Sequence, residues 1–330
     1  MINRYDNFTK LREVVLGSVN RSMLDVVDEK DKQFFADILD GQDSVFQQLE
    51  KILEQFNVKI HRPNLFDHSK LKHKLGIPFH PINYVYSSIS PYDNFLTIEN
   101  AVIEMTSVSP SSAYDHVQYT HIWKEKFDQG SRWLSMPRPS YSRVAEQELP
   151  NNEPYADGPC FLLLGDTVFV TEKYCVNNMA LQWFKREFPN LKFKIFQNTK
   201  GHLDSYFAVI QPGLAISGLH KSKLPKEFQN WEIIEFGPED YSGVEFRNEA
   251  MQDNDYANTT LAVNTLLPDE NNMIVIDSML DTHKSAIKKL ESKKVNLIPL
   301  KYDVCRWTNQ GIACITNPIS REGKCESYFA

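Results

Sequence analysis

Residues 160–196, CFLLLGDTVFVTEKYCVNNMALQWFKREFPNLKFKIF, carry the pattern on which the fold turns. Two apolar runs, FLLL and TVFV, flank a Gly165-Asp166 turn and read as a β-hairpin. Met179, Trp183 and Phe184 then recur at helical spacing until Pro189 stops the run, and LKFKIF follows directly as another strand. The unit is hairpin, helix, strand.

It recurs along the chain. NFLTIENAVIEM (residues 94–105), GHLDSYFAVIQPGLAISG (201–218) and LLPDENNMIVID (266–277) each show an apolar run, a polar or glycine turn and a second apolar run. After the last of these, THKSAIKKLESKK is expected as a helix and VNLIPL as a strand. Near the N-terminus LREVVLG precedes a helix whose Val45, Leu49, Ile52, Leu53 and Phe56 form one apolar stripe, and VKIHRP follows it. The hairpin at 201–218 leads through the less regular KSKLPKEFQ to WEIIEF. About five such units with unequal insertions point to pseudo-symmetric repetition within a single domain spanning 1–330. Residues 107–153 are the least repetitive and are expected to hold a helix around 114–127 between loops.

The length of 330 residues allows a large core, and 42% hydrophobic with 24% charged residues is ordinary for a soluble globular chain. A net charge of −7 without long acidic or basic runs argues against nucleic acid as the main partner. No window approaches eighteen unbroken apolar residues and the first residues lack a signal-peptide pattern, so a cytoplasmic protein without membrane contact is expected. The five cysteines are scattered and never spaced Cys-x-x-Cys, which suits reduced thiols. His61, His68, His73 and His80 match no metal-ligand spacing and are expected on a surface loop.

Units arranged around an axis would bring their strand starts together at the centre. Asp93 precedes the first hairpin, Asp157 the second, His202 and Asp204 open the third, and Cys314 lies just after Gly311 in GIACIT. In an extended chain His202 and Asp204, two apart, share a face. Asp, His and Cys are the parts of a thiol-nucleophile triad, recognised by role and not by chain order. Asp93 and Asp204 exceed what acyl transfer needs and suit a cation, a guanidinium best of all, because its planar fork of N–H donors pairs with carboxylates. A cysteine in an apolar strand is more often a small buried hydrophobe, and Cys160 and Cys175 fit that reading; aspartates before strands also cap turns.

These segments, in this order, resemble the amidinotransferase branch of the guanidino-group-modifying enzymes: YDNFTKLREVVLG, PYDNFLTIENAVIE, ADGPCFLLLGD, GHLDSYFAVIQPGLAIS, NTLLPDENNMIVID and GIACIT. The His-x-Asp hairpin is the most specific of them. The resemblance implies a five-bladed pseudo-symmetric α/β propeller of the pentein type with its site on the axis. It also implies a catalytic cysteine at Cys314, a histidine at His202, its carboxylate partner at Asp157, and guanidinium-binding carboxylates at Asp204 and Asp93. The chain departs from the family where Cys160 replaces an acidic residue and where Lys221 replaces the arginine that grips the donor's carboxylate. It departs again where a glycine-rich run is reduced to Asn309-Gln310-Gly311.

The resemblance implies transfer of an amidino group from an arginine-like donor to an acceptor amine through an amidino-cysteine, with neither metal nor organic cofactor. A homodimer is compatible with it. Two other readings share the scaffold: a hydrolase of the arginine deiminase or dimethylarginine hydrolase kind, and a catalytically silent binding protein for guanidino compounds.

Overall fold

The structure is a computed structural model that describes residues 1–25, 27–67, 88–106, 110–138, 153–171, 175–199, 201–236 and 261–329. The strands in chain order begin with β1 (Leu11–Leu16), β2 (Lys59–His61), β3 (Phe95–Ile98), β4 (Ala101–Glu104) and β5 (Arg132–Ser135). The middle of the chain supplies β6 (Phe161–Leu164), β7 (Thr167–Thr171), β8 (Lys192–Phe196), β9 (Phe207–Gln211), β10 (Leu214–Ser217) and β11 (Glu232–Glu235). The last four are β12 (Leu266–Asp269), β13 (Asn272–Ile276), β14 (Asn296–Leu300) and β15 (Thr316–Arg321). Among the described residues they form five three-stranded sheets: β15-β1-β2, β3-β4-β5, β6-β7-β8, β9-β10-β11 and β12-β13-β14.

Every sheet follows one plan. Its first two strands are antiparallel and its third runs parallel to the second, as when Leu162 pairs with Phe169 and Phe169 with Lys194. A parallel neighbour needs a crossover, which an intervening α-helix supplies in four sheets and short 3₁₀ turns supply in β9-β10-β11. The central strands β4 and β7 are buried along their whole length, and nearly all of β13 is, so they read as continuous apolar runs without alternation. The sheets touch in cyclic order. β15 meets β3, β3 meets the turn before β6, β6 meets the turn before β9, β11 meets the helix Lys284–Ser292, and β12 meets β1 to close the ring. One central cavity is lined by Tyr92, Phe161, Phe207, Leu266 and Thr316, contributed by the innermost elements of all five units. The expected five-bladed α/β propeller is the architecture observed.

One blade is built from both ends of the chain. β1 lacks a hairpin partner of its own; it pairs antiparallel with β15, Val14 opposite Pro318, and parallel with β2, Val14 opposite Ile60. The ends are tied by backbone bonds from Asn3 to Ile319 (3.3 Å) and from Arg321 to Asn3 (2.8 Å). Pro318 sits on an edge strand, where its missing N–H breaks no ladder.

Several local expectations shift. The helix Asn178–Glu187 starts where Asn177 Oδ1 accepts from the Ala180 N–H at 2.9 Å, and this phase turns Ala180 and Phe184 inward. Met179 is left 44% exposed. In the least repetitive region a 3₁₀ stretch, Pro110–Tyr119, precedes the α-helix Thr120–Asp128, and β5 completes the sheet. RWLS, half exposed at an outer edge, carries too little apolar pattern to announce a strand. In the fourth unit the described residues before β11 are short 3₁₀ turns, Lys221–Lys223 and Lys226–Phe228. His61 is not on a surface loop. It ends β2, buried, with Nε2 2.9 Å from Glu13 Oε2, the carboxylate that the buried Lys126 also reaches. His68, His73 and His80 lie outside the described residues. Among the described residues no helix is long and apolar enough to cross a membrane.

Candidate active site

Five of the six residues singled out in the sequence meet at the centre, and each is delivered by a tight turn before an inner strand. Asp93 lies in the turn Pro91–Asn94 that enters β3, and Asp157 immediately precedes the turn Gly158–Cys160 that enters β6. These two turns lie against each other because residue 158 is glycine. A Cβ there would come within 2.2 Å of the Tyr92 carbonyl oxygen and 2.7 Å of that of Phe95.

His202 and Asp204 are not in an extended strand. Residues Leu203–Ser205 wind into a 3₁₀ turn, with Tyr206 N–H bonded to Leu203 O at 2.9 Å, and β9 begins only at Phe207. Burial of Leu203 in the core pulls the chain into this turn. The two side chains still meet the same site, now as neighbours around a turn and not along one face of a strand. Cys314 likewise stands in a turn between the short helix Cys305–Thr308 and β15, where Thr316 N–H bonds to Ala313 O at 3.1 Å.

The contacts form a chain. His202 Nε2 donates to Asp157 Oδ2 at 3.2 Å, and its Nδ1 lies 3.9 Å from Asp93 Oδ1. Cys314 Sγ donates to Asp204 Oδ2 at 3.5 Å. Asn264, which opens NTLLPDENNMIVID but is not among the candidate site residues, completes the cluster: its Nδ2 donates to Cys314 Sγ at 3.3 Å and its Oδ1 accepts from Ala313 N–H at 2.8 Å. A Cβ on residue 311 would lie 2.2 Å from Asn264 Oδ1, so Gly311 is the residue that lets this clamp close over the turn bearing Cys314. Asp204 Oδ1 and Asp93 Oδ1 are buried and accept no hydrogen bond among the described residues.

Lys221 stands apart from this cluster. It opens the turn Lys221–Lys223, its ammonium donates to Trp231 O at 2.7 Å, and its N–H donates to Glu235 Oε1 at 2.8 Å. Cys175 also departs from expectation. It is only partly buried, and its Sγ lies within 4.8 Å of both Cys160 Sγ and a ring nitrogen of His202.

The electrostatics follow from burying three carboxylates around one imidazole. Asp93 is pushed up to about 7, chiefly by burial and then by Asp157 and Asp204, against the pull of His202. Asp204 is raised by burial as well, opposed by His202 and the hydrogen bond from Cys314. Burial works against a charged His202, yet hydrogen bonds to Asp157, Cys175 and Cys314 outweigh it and hold the imidazolium well above its ordinary range. Burial pushes the Cys314 thiol up to about 12, and Asp204 adds to the effect. Cys175 is drawn down to about 6 by the hydrogen bond with Cys160 and by His202. A cation placed between Asp93 and Asp204 would answer the two orphaned oxygens and reverse the charge that holds Cys314 protonated.

No family model matches the chain. It is 24% identical over 311 residues to the mitochondrial glycine amidinotransferase of Danio rerio, covering 86% of this chain and 70% of the relative. It is 23% identical over 376 residues to the L-arginine:L-lysine amidinotransferase of Pseudomonas savastanoi pv. phaseolicola, covering 98% and 96%. In structure it overlays inosamine-phosphate amidinotransferase from Streptomyces griseus with a TM-score of 0.77 at 19% identity, covering 100% of this chain and 99% of the other. With this fold, and with these relatives along most of its length, the chain resembles the amidinotransferases among the guanidino-group-modifying enzymes.

Proposed function

We propose that this protein is an amidinotransferase, moving the amidino group of an arginine-like donor to an acceptor amine through a covalent intermediate on Cys314. One observation carries the reading. A buried thiol and a carboxylate-held imidazole face the same two carboxylates, each with an oxygen left without a hydrogen bond among the described residues.

The donor's guanidinium binds between Asp204 and Asp93, which hold the plane so that its carbon faces Cys314 Sγ. The arriving cation offsets the burial and negative charge that keep the thiol protonated, and the thiol proton passes to solvent, to be regained when the product cation departs. The thiolate adds to the guanidinium carbon. His202, kept as imidazolium by Asp157, gives its proton to the departing amine as the carbon–nitrogen bond breaks. The amidino group is left on sulfur. An acceptor amine then attacks the same carbon, the now neutral His202 takes its proton, and sulfur leaves as thiolate with the new guanidino compound formed. Thiolate and imidazolium are thereby restored.

In this reading the whole chain, 1–330, is one catalytic domain. Lys221 meets the donor's carboxylate, exchanging the Trp231 carbonyl for it. The five cysteines, all free of disulfides, support work in a reducing compartment such as the cytoplasm.

Incubation with arginine tests the reading. Ornithine that appears only when an amine is supplied, with an amidino adduct on Cys314 by intact mass, is the expected result. Citrulline and ammonia without an amine would move the assignment to hydrolysis. No turnover and no adduct with any amine would leave a binding protein.

A further inference from the structure

We infer that Cys160, Cys175 and His202 form a binding site for a thiophilic divalent metal ion of the zinc or cadmium kind, distinct from the nucleophile Cys314. The two sulfurs and an imidazole nitrogen lie within 4.8 Å of one another, the only such group among the described residues. In tetrahedral zinc sites metal–sulfur and metal–nitrogen distances of about 2.3 and 2.0–2.1 Å put ligand atoms roughly 3.5–3.8 Å apart, so side-chain rotation suffices to close this set.

The set is held in place by backbone bonds independent of any metal. Asp157 N–H donates to Cys175 O at 3.0 Å, Cys160 N–H donates to Asp157 O at 3.1 Å, and Ala156 bridges Val176. These clip the segment bearing Cys175 over the turn bearing Cys160. His202 is in turn fixed by Asp157. Two thiols and an imidazole are a borderline-soft donor set, suited to zinc or cadmium and poorly suited to magnesium or calcium. Cys160 is fully buried whereas Cys175 and His202 are partly exposed, so an ion enters from the site side and solvent fills the fourth position.

Binding forms two metal–thiolate bonds and one metal–imidazole bond, and releases to solvent whatever protons the two sulfurs and the His202 imidazolium still carry. It also occupies the imidazole that the proposed reaction needs for proton transfer. The inhibitory consequence therefore rests on the amidinotransferase reading, while the binding itself does not.

The test uses the full chain kept reduced by a phosphine. Titration with cadmium alone is read by the ultraviolet thiolate-to-metal absorption and by the number of thiols shielded from alkylation. One ion per chain, two shielded thiols, and the same result in Cys314→Ala are expected. Cys160→Ala and Cys175→Ala should both lose the absorption, and Cys160→Ala, active without metal, should need at least tenfold more zinc for equal inhibition. An unchanged absorption in those two variants, its loss in Cys314→Ala, or equal zinc sensitivity throughout would overturn the inference. If cadmium binds as expected but no guanidino transfer is found, the metal site stands and the functional reading falls.

Discussion

Replacing Asp204 by asparagine separates a guanidinium-gripping carboxylate from a turn residue. The change keeps the shape of the 3₁₀ turn Leu203–Ser205 and removes one buried negative charge facing Cys314. Two unit charges about 4 Å apart at an effective dielectric of about 20 attract by about 4 kcal/mol. Part of this is already offset, because burial disfavours the charged carboxylate in the free protein. A net loss of about 3 kcal/mol is within the range for truncating one partner of a buried charge pair, and corresponds to roughly a hundredfold in Kd. Calorimetric titration of arginine into Cys314→Ala and into the Cys314→Ala, Asp204→Asn double variant measures it without turnover. A neutral urea analogue should lose far less. In the otherwise native chain, Asp204→Asn should also shift alkylation of Cys314 to lower pH, because Asp204 helps push that thiol up. An arginine Kd within threefold of the parent would show that Asp204 does not grip the cation.

Cys314→Ala should abolish turnover in a folded protein while Cys175→Ala, despite the lower range of its thiol, keeps most activity; the reverse outcome in a steady-state assay moves the nucleophile to Cys175. Asp93 is protonated in the free protein below about 7 and must be ionised to pair with a cation, so arginine affinity should rise with pH through 7 and level off above it. Asp93→Asn should flatten that profile. Because a carboxyl raised above its unfolded value loses stability as pH rises toward its folded value, the same variant should melt higher than the parent at pH 8 and gain little at pH 4. Gly311→Ala should cut kcat at least tenfold and cost about 1–3 kcal/mol on denaturant unfolding, since the new methyl must displace the Asn264 amide that holds the Cys314 turn. Lys221→Ala should raise KM for arginine more than it lowers kcat if its ammonium meets the donor carboxylate in ground and transition states alike; an unchanged KM places that contact elsewhere.

The repeating unit was legible because its signals are local. A strand of period two or a buried apolar run, a glycine turn and a helix of period 3.6 are each written within a few residues, and at 160–196 all three stand in order. The turn-borne carboxylates and His202 could be found for the same reason, each lying just before an apolar run. Three things depended on contacts across the ring. That β1 takes its antiparallel partner from β15 is a pairing between the two ends of the chain, and no local pattern encodes it. His202 and Asp204 look extended from their spacing, yet the packing of Leu203 bends them into a turn, which changes how they converge but not that they do. Asn264 and Cys175 are not among the candidate site residues; the first is a site residue only because Gly311 leaves room for its amide, and the second only because Ala156 and Val176 bridge beside it. Local sequence thus determined the blades and most of the polar residues at their tips. Which tips touch, at what distance, and with what shift in their ionisation was decided by closing the ring, because burial and Coulomb interactions depend on neighbours far away in the chain.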